Sequence, residues 1–239
     1  MLFAICVAAI PASANTETLK FEGATGPKQG GVTTYPYQVS INGGSAINVA
    51  CDDFYDSQNS GDSWTVNVYT FSATGVPTGG IFTGENHSTQ LYDEAAWLFN
   101  QMTLPGNSSY TANINFAIWG LFDSGAKSSS GYTTSGSDSS SAWATDALNW
   151  YNGGSSNIDA LFSADTFTIY TPCTENWNGS ECVNDQYGDW NTPQEFISET
   201  PNTVTTPEPA SLLMLGFGLA VVAISRRKSL RLSQNSVQA

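Results

Sequence analysis

Sixteen consecutive residues near the C-terminus, Ala210 to Ser225, carry no charge. As a helix rising 1.5 Å per residue they reach about 24 Å. That is short of the roughly 30 Å hydrocarbon core of a bilayer, but flanking cations can snorkel and extend it. Arg226, Arg227 and Lys228 follow the run directly, and Pro207 and Pro209 stand just before it. Proline cannot continue a helix backwards, so the apolar helix has a defined start. A buried core helix would not stop at three cations, nor be preceded by the linker-like "ETPNTVTTPEP". The spacing therefore predicts one transmembrane helix over 210–225. The positive-inside rule places a short tail, 229–239, in the cytoplasm and everything before Pro207 outside.

The N-terminus agrees with that placement. Leu2 to Ile10 form an apolar stretch, and Ala12-Ser13-Ala14 is a small-residue cleavage site. Residues 1–14 are read as a signal peptide cut after Ala14, although no cation precedes the apolar stretch. A buried first strand is the competing reading. Cys6 lacks the Leu-Ala-Gly surroundings of a lipoprotein site. The chain thus divides into a signal peptide, 1–14; an extracellular domain, 15–190; a polar Thr/Pro linker, 191–206; and a C-terminal segment, 207–228, ahead of the tail.

The order Pro207-Glu208-Pro209, apolar helix, Arg226-Arg227-Lys228 resembles the PEP-CTERM sorting signal of Gram-negative bacteria. The resemblance implies three things: recognition by an exosortase, insertion in the inner membrane through the C-terminal helix, and cutting near the motif. The protein would then be released or transferred to the cell surface. It also implies a setting of extracellular polysaccharide and biofilm. Eleven residues follow Lys228, where many members of that family stop sooner.

Composition bounds the exported part. Seven Trp, twelve Phe and ten Tyr can fill a core, which argues against disorder. Ahead of the helix stand three lysines, Lys20, Lys28 and Lys127, against 21 acidic residues, a net charge of −18. Such a surface repels nucleic acid and suits solubility, divalent cations or neutral glycans. In an oxidising envelope Cys173 and Cys182, which bracket a polar loop, are expected to pair. Closure of that loop stabilises by roughly 2.5–3 kcal/mol. Cys51 is left over, as a buried residue, a partner in another pairing or a reactive thiol. With His87 the only histidine and no CxxC, zinc sites and Cys-His catalysis lack their parts. No cofactor is implied.

The periodicity changes along the domain. "TLKFEG", "TTYPYQVSING", "AINVACDDF" and "SWTVNVYTFSA" alternate apolar and polar residues between glycine-rich turns, with Asn42-Gly43 a hairpin signal. Helical spacing follows in "HSTQLYDEAAWLFNQM", ended by Pro105-Gly106, and in "NSSYTANINFAIWGLFDSG", ended by Gly125. A third helix is read in "SAWATDALNWYNGG". "TFTIYTP" reads as a returning strand and "QEFIS" as a last one. The fold class is α+β: a strand-rich first part, about three helices and a returning strand. Tryptophans at helical spacing, Trp97, Trp119, Trp143 and Trp150, are read as core rather than as a sugar platform.

Three constellations bear on chemistry. Asp52, Asp53, Asp56 and Asp62 crowd a short segment, which calcium would favour, but the spacing does not match an EF-hand loop. A polar turn with solvated acids is the simpler reading. No pair of carboxylates is singled out for glycoside hydrolysis, and no nucleophile-elbow, P-loop or dinucleotide motif is present. "INFAIWGLF" resembles the T-Q-x-A-I-W segment of bacterial surface thioester domains. There an upstream cysteine bonds a glutamine side chain; matching the segment here pairs Cys51 with Asn115. Asparagine is one methylene shorter, so the resemblance implies a shared fold without the reactive bond. The leading expectation is a non-enzymatic, exosortase-processed surface or matrix protein. The alternatives are an adhesion or glycan-binding module, calcium-assisted or not, and a secreted hydrolase.

Overall fold

The computed structural model describes residues 15–55, 57–71, 79–83, 88–174, 183–184 and 193–201. All of them belong to one compact unit, which ends at Asn202. The expected signal peptide and the transmembrane helix at 210–225 lie outside the described residues. Among those described, no helix is long and apolar enough to cross a membrane.

The alternating segments form strands. These are β1 (Asn15–Ala24), β4 (Tyr37–Ile41), β5 (Ile47–Cys51) and β6 (Ser63–Thr70), with a two-residue hairpin of β2 (Lys28–Gln29) and β3 (Val32–Thr33) inserted before β4. Asn42 and Gly43 turn β4 into the segment leading to β5 with φ of 50° and 71°. That is the left-handed pair an Asn-Gly hairpin turn needs. Then come α1 (Ser88–Thr103), α2 (Thr111–Phe122), α3 (Ser124–Ser128), α4 (Ser140–Asn152) and α5 (Ser155–Ala164). The chain returns through β7 (Asp165–Thr174), β8 (Val183–Asn184) and β9 (Phe196–Pro201). The strand-rich start and the α+β class match the sequence reading. The helix number does not: among the described residues five α-helices stand where about three were expected. The short α3 takes in Gly125, the expected stop. α2 ends earlier, at Phe122, because Asp123 leaves the helix and its side chain accepts from Gly125 N–H at 2.6 Å, capping α3. β9 falls inside the segment assigned to the linker.

The sheet runs β6-β1-β4-β5-β9-β7-β8, and β6 also pairs with β7. Six antiparallel strands therefore close into a ring, with β8 appended to β7. One face of the ring carries Leu19, Phe21, Val39, Val49, Cys51, Val66 and Phe196, packed together with Phe116 and Trp119 from α2. The other face, through Ala50, Phe167, Ile169 and Ile197, packs against α1, α2, α4 and α5. This double duty explains why α2 is buried all round from Ile114 to Gly120: it serves both cores. Trp97, Trp143 and Trp150 are half-buried at the edge of the helical core, with Trp97 and Trp150 stacked at 5.9 Å.

Candidate functional site

A cleft of about 490 Å³ opens beside β1, β4 and the segment after β5. Its apolar surface comes from Phe21, Tyr37, Phe54, Tyr55 and Trp119, and Gln58, Gln194 and Ser57 add amides and a hydroxyl. Trp119 is 2 % exposed and Tyr55 38 %, so the cleft runs from a fixed floor to an open rim. Phe54 holds the two together, with ring centres 5.3 Å from Trp119 and 5.8 Å from Tyr55. Gly125 of α3 lets Tyr55 settle, since a Cβ there would lie 2.0 Å from its hydroxyl. No acidic or basic side chain is among the described residues that line the cleft.

Behind this floor the structure places Asn115 beside Cys51, residues 64 positions apart. Asn115 is fully buried and its amide is used at both ends. Its Oδ1 accepts from Tyr35 N–H at 2.7 Å, and its Nδ2 donates to the Cys51 carbonyl at 3.1 Å. The helix thereby ties the start of β4 to the end of β5. The Cys51 thiol is free and buried, and donates instead to the Asp53 carbonyl at 2.8 Å. Burial, then the neighbouring Asp53 and Asp52, push the thiol well above its ordinary range. Asn115 is thus a backbone clamp, and its contact with Cys51 is to the main chain.

Two of the aspartates leave the solvated turn that their spacing suggested. Asp52 and Asp53 are buried. Asp53 Oδ1 accepts from Tyr55 N–H at 3.1 Å, which shapes the cleft wall. Asp62 is exposed and accepts from Asn59 N–H at 2.9 Å, closing the turn before β6. Asp56 lies outside the described residues. Among those described, no group of three or more His, Cys, Asp or Glu side chains is arranged to hold a metal. The reason for the inward turn is β9, which follows a buried acid of its own, Glu195. Sequence reading missed Glu195, Tyr92 and Thr171, which join Asp52 in one buried polar cluster. The only local signal was a glutamate opening the apolar "EFI".

Cys173 lies near the end of β7, opposite Asn184 of β8. Cys182, its expected partner, lies outside the described residues, as do Ala12, Ala14, Pro207, Glu208, Pro209, Arg226, Arg227 and Lys228.

For those last six, comparison with known families is decisive. Residues 205–228 match the family model of the PEP-CTERM protein-sorting motif. The chain carries an exosortase sorting signal. The PEP-CTERM motif implies export and recognition by an exosortase. No curated protein and no solved structure matches the chain. The resemblance to thioester domains therefore finds no support beyond six residues, and the clamp geometry gives Asn115 a structural role instead.

Proposed function

We propose that the exported domain is a non-enzymatic protein of the cell surface or extracellular matrix, associated with the exopolysaccharide of a biofilm. In this reading its cleft contacts a neutral glycan. The observation that carries the proposal is the make-up of the cleft: aromatic rings beside amide and hydroxyl groups, with no charged group among the described lining residues. Sugar rings stack their C–H faces on aromatics and exchange hydrogen bonds with amides. A net charge of −18 on the exported part disfavours an acidic polymer. Glycoside hydrolysis would need two carboxyl groups about 5–9.5 Å apart across such a cleft, and the described lining supplies neither. In this reading the PEP-CTERM motif would bring the domain to the envelope surface, where such polymers lie.

The test is affinity electrophoresis of the processed protein in gels containing the neutral exopolysaccharide of the same cells. Retardation that weakens at least several-fold in Tyr55→Ala and Gln58→Ala, but not in Leu148→Ala on the remote face of α4, supports the reading. Equal mobility with and without polymer refutes it. Loss of retardation in a chelator would favour the calcium-assisted alternative.

A further inference from the structure

Asp52 and Glu195 are both fully buried. The ladder between β5 and β9 pairs Ala50 with Ile197 and Cys51 with Phe196. One step further along the same register sets Asp52 opposite Glu195, on the face shared by Ala50 and Ile197. The two carboxyl groups meet side chain to side chain. Two ionised carboxylates in that position repel, with no water to screen them. The titratable groups that face the pair are Asp53 and Cys51 beside Asp52, and Tyr92 from α1. None is a cation. The described lysines, Lys20, Lys28 and Lys127, are all exposed. Neutralisation must come from a proton.

The donors decide where that proton sits. Glu195 accepts from the Tyr92 hydroxyl at 2.7 Å, from Ile81 N–H at 3.0 Å and from the Thr171 hydroxyl. Phe82 N–H donates in turn to the Tyr92 oxygen at 3.2 Å. Among the described residues, neither oxygen of Asp52 meets a donor from another residue. A carboxyl with three donors is the one that ionises; a carboxyl with none keeps its proton. The same three donors argue against a metal ion, because their hydrogens point at the oxygens a cation would use.

We infer that Asp52 is a neutral carboxylic acid whose O–H donates to the Glu195 carboxylate, and that this shared proton latches together the strand ends that carry two walls of the cleft. Phe54 and Tyr55 follow Asp52 on one wall, and Gln194 precedes Glu195 on the other. The latch does not depend on what the cleft binds. Burial raises both carboxyl groups above their ordinary range, Asp52 strongly. The sign follows. Folding takes up a proton, so the latch is fully effective below the usual carboxylate range, near pH 4. Its contribution is lost as pH rises through the raised folded-state titration.

The experiment compares wild type with Asp52→Asn, whose amide donates to Glu195 without titrating. Above about pH 5 the ratio of the wild-type to the variant unfolding constant should rise roughly tenfold per pH unit, because one extra proton is released on unfolding. Parallel pH profiles would overturn the inference. A second measurement needs no variant. At about pH 8 Asp93, which burial and then Glu94 push up to about 7, is largely ionised. The infrared carbonyl band of a protonated carboxylic acid should persist there in the folded wild-type protein and vanish on unfolding. A folded protein without that band refutes the shared proton.

Discussion

Replacing Asn115 by alanine tests the clamp between α2 and the ring. The side chain satisfies two buried main-chain groups at once, Tyr35 N–H and the Cys51 carbonyl. Alanine leaves both without a partner in a position from which water is excluded, since Asn115 is 0 % exposed. An orphaned buried group costs about 1–3 kcal/mol, so the pair costs about 2–6 kcal/mol. A domain of this size is held by roughly 5–15 kcal/mol in all. The effect should be plain in urea denaturation followed by tryptophan fluorescence, as a lower midpoint at constant slope. Asn113, one turn face away, is the control. It bonds Gln29, Thr133 and the Asp138 carbonyl, but it is half-buried and water can replace the amide. Asn113→Ala should cost about 1 kcal/mol. Asn115→Asp refines the test by keeping the acceptor for Tyr35 while setting an oxygen against the Cys51 carbonyl. Only a protonated carboxyl can bond there, so burial raises its folded-state pKa. That variant should be near wild type in acid and lose stability as pH rises. An Asn115→Ala protein within about 0.5 kcal/mol of wild type would refute the clamp.

Two further outcomes are expected. The intact mass of the protein from native cells should end near Pro207 to Pro209; a mass running through Ala239 would mean that the sorting signal is not used. In the same protein Cys51 should resist alkylating reagents at neutral pH and react only on unfolding, because the thiol is buried and its pKa is raised; labelling of the native state at the rate of an exposed thiol would contradict its burial.

What could be read from the sequence was what is local. Alternation marked the strands, Asn42-Gly43 marked its turn, and the charge-free run ending in Arg226 marked the sorting signal. Each depends on neighbours a few residues away. The misreadings share a different cause. Helical spacing alone gives α2 a single apolar face, yet Asn115 and Phe116 are buried as well, because the closed ring supplies a second core that periodicity cannot announce. α5 opens in "GGSSN", which reads as loop, and is a helix because Leu161 and Phe162 pack against the sheet. Asp52 and Asp53 looked solvated because charge predicts exposure. Only Glu195, 143 positions away, and its donors make the inward turn of Asp52 affordable. Carboxyl groups cluster inside when a partner removes one charge, and that partner is invisible locally.

The closed ring has a consequence for the order of events at the membrane. Among the described residues β9 is the last strand in the chain, and it is inserted between β5 and β7. Until residues 196–201 have emerged, those two strands present unpaired edges, the surfaces on which chains join one another edge to edge. A partly exported chain is therefore sticky, and a finished one leaves no open edge around the ring. Contacts between residues 66–70 and 168–172 also make closure a non-local and slow step. A C-terminal sorting signal suits such a chain. A sorting motif at 205–228 follows β9 directly, so every strand of the ring precedes it in the chain.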